Sequence, residues 1–227
     1  MRWPVDLKRI SPLLLHGEGA LEFAHETAEH LLHKGERIVT IDGANAFDAG
    51  HIARSAQKRK KHPPEMLNAI RVSRAFTWQA FEALVENDVL PEATRTNARW
   101  ILILGPLDLL ADEDVKPFQA WRSAGRIAKA LTELSGNGLG VIVAQRMHPL
   151  IRGNRTELEE FLHRACAHAV EVSRRDPHGR SVPASGDPEP VSPPPSVGAA
   201  GRGLAVPAAP RPLPDLRQLV LPFAVRG

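Results

Sequence analysis

Hydrophobic positions along the chain fall into short unbroken runs that alternate with longer stretches of helical spacing. The unbroken runs contain only apolar or β-branched side chains, as at positions 38–41 and Trp100–Leu104. A run without polar alternation is typical of a strand that is buried on both faces of a parallel sheet. Between these runs, apolar residues recur every three or four positions, which predicts amphipathic helices.

The pattern predicts about five alternations of strand and helix within residues 1–173. The predicted strands are Leu13–His16, 38–41, 70–73, Trp100–Leu104, 139–144 and 169–172, and the predicted helices are 20–34, 49–61, one capped by Thr77, 124–134 and one that starts at Thr156. Such alternation is the signature of an α/β fold with a doubly wound, mainly parallel sheet flanked by helices.

The C-terminal quarter of the chain has a different composition. Residues 174–214 hold 11 of the 20 prolines, with Gly, Ala and Ser between them. Such a segment buries too little apolar surface to offset its conformational entropy, so we expect it to be disordered. The predicted organisation is an α/β domain at 1–173, a disordered Pro/Gly/Ala-rich linker at 174–214 and an apolar peptide at 215–227.

Charge and cysteine content restrict the partners and the compartment. The seven basic and four acidic residues from Arg174 onward account for the whole net charge of +3, so the body is formally neutral. A neutral body is weak evidence against a large phosphate-binding surface, although it is compatible with local basic patches. The single Cys166 fits a reducing compartment, and no apolar run reaches the roughly 20 residues of a membrane span. We expect a cytoplasmic protein with no membrane partner.

The stretch IVTIDGANAFD at 38–48 is the first place to expect a site. A buried strand ends at Asp42 and a Gly-Ala-Asn turn follows. Ligands of open α/β sheets bind beyond the carboxyl ends of the strands. Asp42 and Asn45 should therefore lie near any site in the folded body.

Four segments in succession resemble the RecA/RadA-like recombinase ATPase family: IVTIDGANAFDAGHIARSA, RVSRAFTWQAFEAL, WILILGPLDLL and GVIVAQR. The resemblance covers residues 13–172 and is most specific at Arg74-Ala75-Phe76. It implies a RecA-like fold. In the same order, it implies that the first segment is the strand with the catalytic carboxylate and the second is the Arg-Ala-(Phe/Tyr) strand. The third would be the Walker B strand, and the fourth the strand whose final Gln145 senses nucleotide.

The phosphate-binding segment departs from the family pattern. A phosphate loop of the form GxxxxGK[ST] uses backbone amides, a lysine and a hydroxyl to hold phosphate and magnesium. The equivalent segment, HGEGALEFAHET, keeps Gly17 and Gly19 but has Glu18 and Ala20 beside them, with no lysine and no hydroxyl at the required place. A carboxylate at the start of a helix opposes phosphate binding.

Two further parts of the nucleotide machinery are missing. Gly105-Pro106 follows the Walker B strand where the family has a magnesium-binding Asp, and Ala44 stands at the position of the catalytic Glu if Asp42 is aligned with the family's Asp. The loss of three parts together predicts a protein that does not hydrolyse ATP and needs no cofactor. An ATP-binding regulator, with Mg-ATP held by an atypical phosphate loop, stays open as an alternative.

A metal-dependent nuclease is the enzymatic alternative. IDGAN also looks like the first-strand motif of PIN/NYN-type nucleases, which use acidic side chains to bind magnesium. The acids that would meet at the sheet edge are Asp42, Asp108, Asp112, Glu113 and Asp114. That motif usually opens the domain, whereas 37 residues precede it here.

A second candidate metal motif fails on spacing. His25 and His30 invite comparison with an HExxH zinc helix, but they are five residues apart and diverge by about 140° around a helix. We expect this helix face to be solvated and assign no catalytic or metal-binding residue.

Basic residues after Gln145 are the candidate contacts to DNA. Arg146, His148, Arg152 and Arg155 occupy the segment that, in the recombinase family, contacts single-stranded DNA. Basic residues there could neutralise phosphates. The other interpretation is a solvated charged loop, and the basic run at 58–61 is a weaker candidate of the same kind.

The chain terminus carries a possible partner-binding peptide. Residues 218–223, QLVLPF, look like the bacterial sliding-clamp-binding hexapeptide. Gln218 would hydrogen-bond at the pocket edge, and Leu219, Leu221 and Phe223 would fill apolar pockets in an extended chain. A disordered linker would let this peptide reach its partner. The alternative is a tail that folds back on the body.

The sequence therefore predicts a non-catalytic, RecA-like accessory protein of DNA repair, recombination or translesion synthesis. Its expected partners are single-stranded DNA, the sliding clamp, a polymerase or recombinase, or further copies of itself.

Overall fold

The structure is a computed structural model that describes residues 11–146 and 157–173. The chain separates into two units, Met1–Arg174 and Arg175–Gly227. Several predictions lie outside the described residues: the DNA contacts His148, Arg152 and Arg155, the disordered linker at 174–214, and the peptide at 215–227 with Gln218, Leu219, Leu221 and Phe223.

The described residues form a six-stranded sheet in which every pair of neighbouring strands is parallel. The strands are β1 (Leu13–His16), β2 (Ile38–Asp42), β3 (Ile70–Arg74), β4 (Trp100–Leu104), β5 (Gly140–Gln145) and β6 (His168–Glu171). Their order across the sheet is β3-β2-β4-β5-β1-β6. The predicted α/β class with a parallel sheet is confirmed.

Helices cover both faces of this sheet. They are α1 (Ala20–His33), α2 (Ala49–Lys58), α3 (Pro63–Asn68), α4 (Trp78–Ala83), α5 (Val89–Thr96), α6 (Pro117–Gly136) and α7 (Glu157–Ala165), with a π-helical turn at Leu84–Asp88. The connections β1–β2 and β2–β3 run toward one edge of the sheet, and the later connections run toward the other. Right-handed crossovers therefore place α1–α3 on one face and α4–α7 on the opposite face.

Each central strand supplies side chains to two hydrophobic cores. In β4, Ile101 and Ile103 pack with residues of α4–α7, whereas Trp100, Leu102 and Leu104 pack with residues of α1–α3. Successive side chains of a strand point to opposite faces, so a strand covered on both faces is apolar throughout. This explains why the unbroken runs in the sequence predicted the strands correctly.

Two predicted helices differ from those in the structure. Pro63 and Pro64, just beyond the predicted helix 49–61, occupy the first turn of α3, where a missing N–H costs nothing. Helix α6 begins at Pro117, well before the predicted residue 124, and its first turns carry Trp121, which is half exposed. The predicted cap is confirmed, since the Thr77 hydroxyl accepts a hydrogen bond from the Ala80 N–H.

The apolar segments of this fold are all short. Within the described ranges, none of the helices combines the length and the apolar character that a membrane crossing requires.

We predict opposite effects for two glycine-to-alanine changes. At Gly140 an added Cβ would lie 2.4 Å from the buried Trp100 ring, so Gly140→Ala should destabilise the fold by about 1–3 kcal/mol through overpacking. At Gly136, at the end of α6, nothing lies within 4 Å of the new Cβ. Gly136→Ala should therefore stabilise by up to about 1 kcal/mol. Urea unfolding measures both, and equal destabilisation would contradict the packing described here.

Candidate functional site

The carboxyl ends of the strands form the edge at which a doubly wound sheet binds its ligands. Binding crevices open between neighbouring strands whose connections leave to opposite faces. Two such pairs lie inside this sheet: β1 beside β5, and β2 beside β4. The candidate residues Gly17 and Gln145 flank the first pair, and Asp42 and Gly105 flank the second.

The turn after β1 is short, and three of the amides at this turn are bonded within the protein. It consists of Gly17, Glu18 and Gly19, and α1 begins at Ala20. Three of its amides are already used within the protein: the Gly17 N–H donates to the Gln145 carbonyl at 3.2 Å, Gly19 to Val172 at 2.9 Å, and Ala20 to Gly17 at 3.1 Å. These are the donors that a phosphate loop would turn toward its ligand.

The two glycines of this turn serve close packing against the chain after β6. Gly17 has φ +105°, and a Cβ there would lie 2.8 Å from the Val172 carbonyl oxygen. A Cβ on Gly19 would lie 3.0 Å from the Ser173 carbonyl oxygen. The glycines that suggested a phosphate loop are thus required by backbone packing. Glu18 is exposed, and Glu22 adds a second carboxylate in the first turn of α1.

His16, the last residue of β1, borders the same turn. Its ring meets the His163 ring edge-on, with 5.0 Å between ring centroids. Burial, and next the charge of His163, lower the pKa of His16, while Glu171 opposes this shift. A neutral imidazole adds no cation to the place where the family pattern has lysine.

Asp42 is completely buried, and its carboxylate is occupied by the protein itself. One carboxylate oxygen accepts the Ala46 N–H and the other accepts the Phe47 N–H, both at 3.0 Å. The second oxygen also pairs with Arg74 Nε at 3.1 Å. These bonds satisfy the buried charge and fix the loop between β2 and α2.

The three residues of the Arg74-Ala75-Phe76 block have different environments. Arg74 binds both Asp42 and the Phe47 carbonyl, the latter at 2.8 Å. Ala75 is buried, and its N–H donates to the Asp42 carbonyl. The Phe76 ring is 76% exposed. The most specific part of the resemblance is therefore an internal brace followed by an exposed aromatic ring.

His25 holds the same loop from α1 and was missed by the sequence reasoning. Its Nδ1 lies 2.7 Å from the Leu21 carbonyl oxygen, and its Nε2 accepts the Asp48 N–H at 3.2 Å, which requires a neutral ring protonated on Nδ1. His25 is buried, so the expectation of a solvated helix face is wrong at this residue. The sequence carried no signal for this role, because the loop after β2 meets His25 only in the folded chain.

Direct packing closes the crevice between β2 and β4. Gly105 has φ +59°, and a Cβ there would lie 2.5 Å from the Ala44 Cβ. A Cβ on Gly43 would lie 2.8 Å from the Phe81 ring, and the Gly43 N–H donates to the Leu104 carbonyl at 2.9 Å. Ala44 and Gly105, which stand where the family pattern has acids, are thus in contact.

Gln145 and Asp108 stabilise the loop after β4. The side-chain Oε1 of Gln145 accepts the Leu107 N–H at 3.0 Å, and its Nε2 donates to Asp108 Oδ1 at 2.8 Å. Arg146 Nε donates to the other Asp108 oxygen at 2.9 Å. Gln145 is 2% exposed, so it acts as an internal link and not as a residue pointing into a pocket.

The acids considered for a nuclease site serve different parts of the structure. Asp42 and Asp108 are engaged as described above, whereas Asp112, Glu113 and Asp114 are exposed in the following loop. Across residues 11–146 and 157–173, no group of three or more His, Cys, Asp or Glu side chains has the geometry to hold a metal ion.

A separate groove of about 580 Å³ lies between α4 and α6. Trp78 and Phe118 contribute to its lining. Its acids Glu82 and Glu86 form ion pairs with Arg126. None of the motif residues of the carboxyl edge lines this groove.

No protein-family model matches the chain, and no curated protein matches it significantly.

We predict that Asp42→Asn destabilises the protein by about 3 kcal/mol, because the new amide would place a donor against the Phe47 N–H and Arg74. The matched control is Asp114→Asn, an exposed carboxylate expected to change stability by less than about 0.5 kcal/mol. Chemical denaturation of both variants measures the difference. Equal stabilities would show that Asp42 is not the brace of this edge.

Proposed function

We propose that the protein is a RecA-like domain without nucleotide chemistry, acting as a cytoplasmic accessory protein of DNA repair, recombination or translesion synthesis. It works by binding DNA and protein partners and not by turnover. The parallel sheet supports the RecA-like assignment, because the strands of all four resembling segments end at the same edge of the sheet. There Gln145 lies beside the turn after β1, and Asp42 lies beside the loop after β4.

The observation that carries the proposal is the three-residue turn after β1. A GxxxxGK[ST] loop needs eight residues, of which several amides face the phosphates. Here the Gly17, Gly19 and Ala20 amides bond to the protein's own carbonyls. A triphosphate would have to break these bonds and then meet the carboxylates of Glu18 and Glu22.

The nuclease and the ATP-binding regulator would each need a side chain that is already hydrogen-bonded within the protein. Asp42, which a nuclease would use for magnesium, already accepts two backbone N–H groups and an arginine. Gln145, which a nucleotide sensor would direct to the γ-phosphate, binds Leu107 and Asp108. A large local rearrangement would be needed for either role.

Contacts to DNA and to a partner protein come from segments beyond this edge. Arg146, half exposed, leads into the segment with His148, Arg152 and Arg155. These residues are proposed to contact single-stranded DNA through its phosphates. The terminal QLVLPF peptide is proposed to bind a bacterial sliding clamp, with a polymerase, a recombinase or a second copy of the chain as the other partners.

We predict that the full-length protein shows no binding of Mg-ATP below about 1 mM and no hydrolysis. Isothermal titration and phosphate release measure the two properties. Glu18→Lys is the informative variant, because it replaces a repelling carboxylate with a cation but leaves the amides bonded to carbonyls, so it should also fail to bind. Sub-millimolar binding by the wild type would support the ATP-binding regulator, and binding gained by Glu18→Lys would show that a phosphate cradle exists.

We predict that the full chain binds a purified sliding clamp with micromolar affinity and that Leu221→Ala with Phe223→Ala abolishes this binding. Truncating two anchor side chains removes most of the apolar contact of an extended peptide. Val220→Ala is the matched control, because position 220 is one of the two variable positions in the motif. The proposal for the tail is wrong if wild type and anchor variant bind equally, or if neither binds at 100 µM.

A further inference from the structure

Two helices of one sheet face end side by side at the amino edge, opposite the candidate site. Helix α1 ends at His33 and α2 ends at Lys58, and each then leads toward the amino end of a strand. The residues around these helix ends are Lys34, Lys58, Arg59, Lys60 and Lys61, with His30 and His33 among them. We name this set the basic patch.

Hydrogen bonds join the two helix ends into one surface. Lys61 Nζ donates to the His33 carbonyl at 2.7 Å, and the His33 Nε2 lies 3.1 Å from the Ser55 hydroxyl. Arg59 reaches back to Glu29 of α1 at 3.2 Å. The cations are therefore held on a shared, ordered framework and not on a loose loop.

Burial and the surrounding positive charge both lower the pKa of each histidine in the patch. Burial lowers the pKa of His30, and Lys34 and Arg59 lower it further. Burial also lowers the pKa of His33, with Arg59 and Lys61 acting in the same direction and Glu29 opposing them. Like charges from both helices thus converge on the same two side chains.

The patch contains more cations than the helix ends require. Residues 58–61 are four consecutive Lys and Arg residues, and Lys34 is the fifth cation of the patch, in a body that is formally neutral. One cation per helix end is enough to complement its carbonyl groups. All five cations are exposed, and Lys34, Lys58 and Lys60 have no acidic partner in the described part of the chain. An excess of fixed, unpaired charge is suited to a polyanion.

We infer that the basic patch is a second nucleic-acid surface, which binds the phosphate backbone of DNA without reading sequence. The choice of DNA as the polyanion rests on the proposed function, whereas the location rests on the joined helix ends. Lysines act as point charges on phosphates, and the patch presents no aromatic platform for stacked bases.

A lipid surface is the less suitable polyanion. Membrane-surface elements combine basic residues with an exposed apolar face that enters the bilayer. The large apolar side chains exposed in the described ranges are Val72, Phe76, Leu90, Phe118, Trp121 and Val170, and none belongs to α1 or α2.

The test compares three full-length variants with the wild type by fluorescence anisotropy, on single-stranded and duplex DNA of about 30 nucleotides. The patch variant is Lys34→Gln, Lys58→Gln and Lys60→Gln, which spares the structural contacts of Arg59 and Lys61. The control variant removes the same charge from the other sheet face by Arg122→Gln, Lys129→Gln and Arg164→Gln. The loop variant is Arg152→Gln with Arg155→Gln.

We expect the patch variant to bind DNA at least tenfold more weakly at 100 mM salt, with a salt slope smaller by about one per lysine removed. The control variant should bind like the wild type, and thermal melting should show that all three are folded.

Loss of DNA binding confined to the loop variant would overturn this inference and leave the proposed function standing. Equal losses in the patch and control variants, or patch-dependent binding only to anionic vesicles of phosphatidylserine and phosphatidylcholine, would overturn it as well. An absence of any wild-type binding to DNA would overturn both this inference and the DNA-binding part of the proposed function.

Discussion

The carboxyl edge of the sheet depends on the buried charge of Asp42. An ionised carboxylate without solvent contact is costly unless charged and hydrogen-bonded partners replace its water. Two backbone amides and Arg74 supply these partners. The same bonds determine where the loop between β2 and α2 runs, and His25 holds that loop from the other side. One electrostatic requirement thereby positions β2, β3 and the start of α2.

The rest of the edge is closed by contacts of the backbone with itself. The turn after β1 bonds to the ends of β5 and β6, and Gly105 lies against Ala44. Each internal hydrogen bond contributes only about 1 kcal/mol net, but a ligand that displaced several would forgo all of them. In a nucleotide-binding sheet these groups stay available for phosphate. In this protein the same positions hold the strands together.

The strands were predictable because double-sided burial makes every strand position apolar, a property visible in β4 and β5 without any tertiary information. The chemistry of Asp42 was not predictable in this way. Its position at the end of β2 indicated a site, but its partners Ala46, Phe47 and Arg74 are brought together only by the fold. A buried carboxylate that serves as a brace and one that binds metal look the same in sequence.

Errors in the helices have a similar cause. Helix α2 already ends at Lys58, and Pro63 starts the next helix, which the sequence pattern did not show. The face of α1 that carries His25 looks polar in sequence, yet the loop after β2 packs over it. The Asp48 N–H of that loop donates to Nε2, while Nδ1 bonds to the Leu21 carbonyl of α1 itself. Lys58, in contrast, lies at the end of a helix as the sequence indicated, but the neighbouring end of α1 could not be foreseen.

Amide hydrogen exchange at Gly17 and Gly19, measured residue by residue with and without Mg-ATP, tests the central claim most directly. If the protein's own carbonyls accept hydrogen bonds from these two amides, both exchange as slowly as the amides in the interior of α1. Added nucleotide then leaves their exchange rates unchanged. Fast exchange of both amides in the free protein, followed by protection when Mg-ATP is added, would contradict the account.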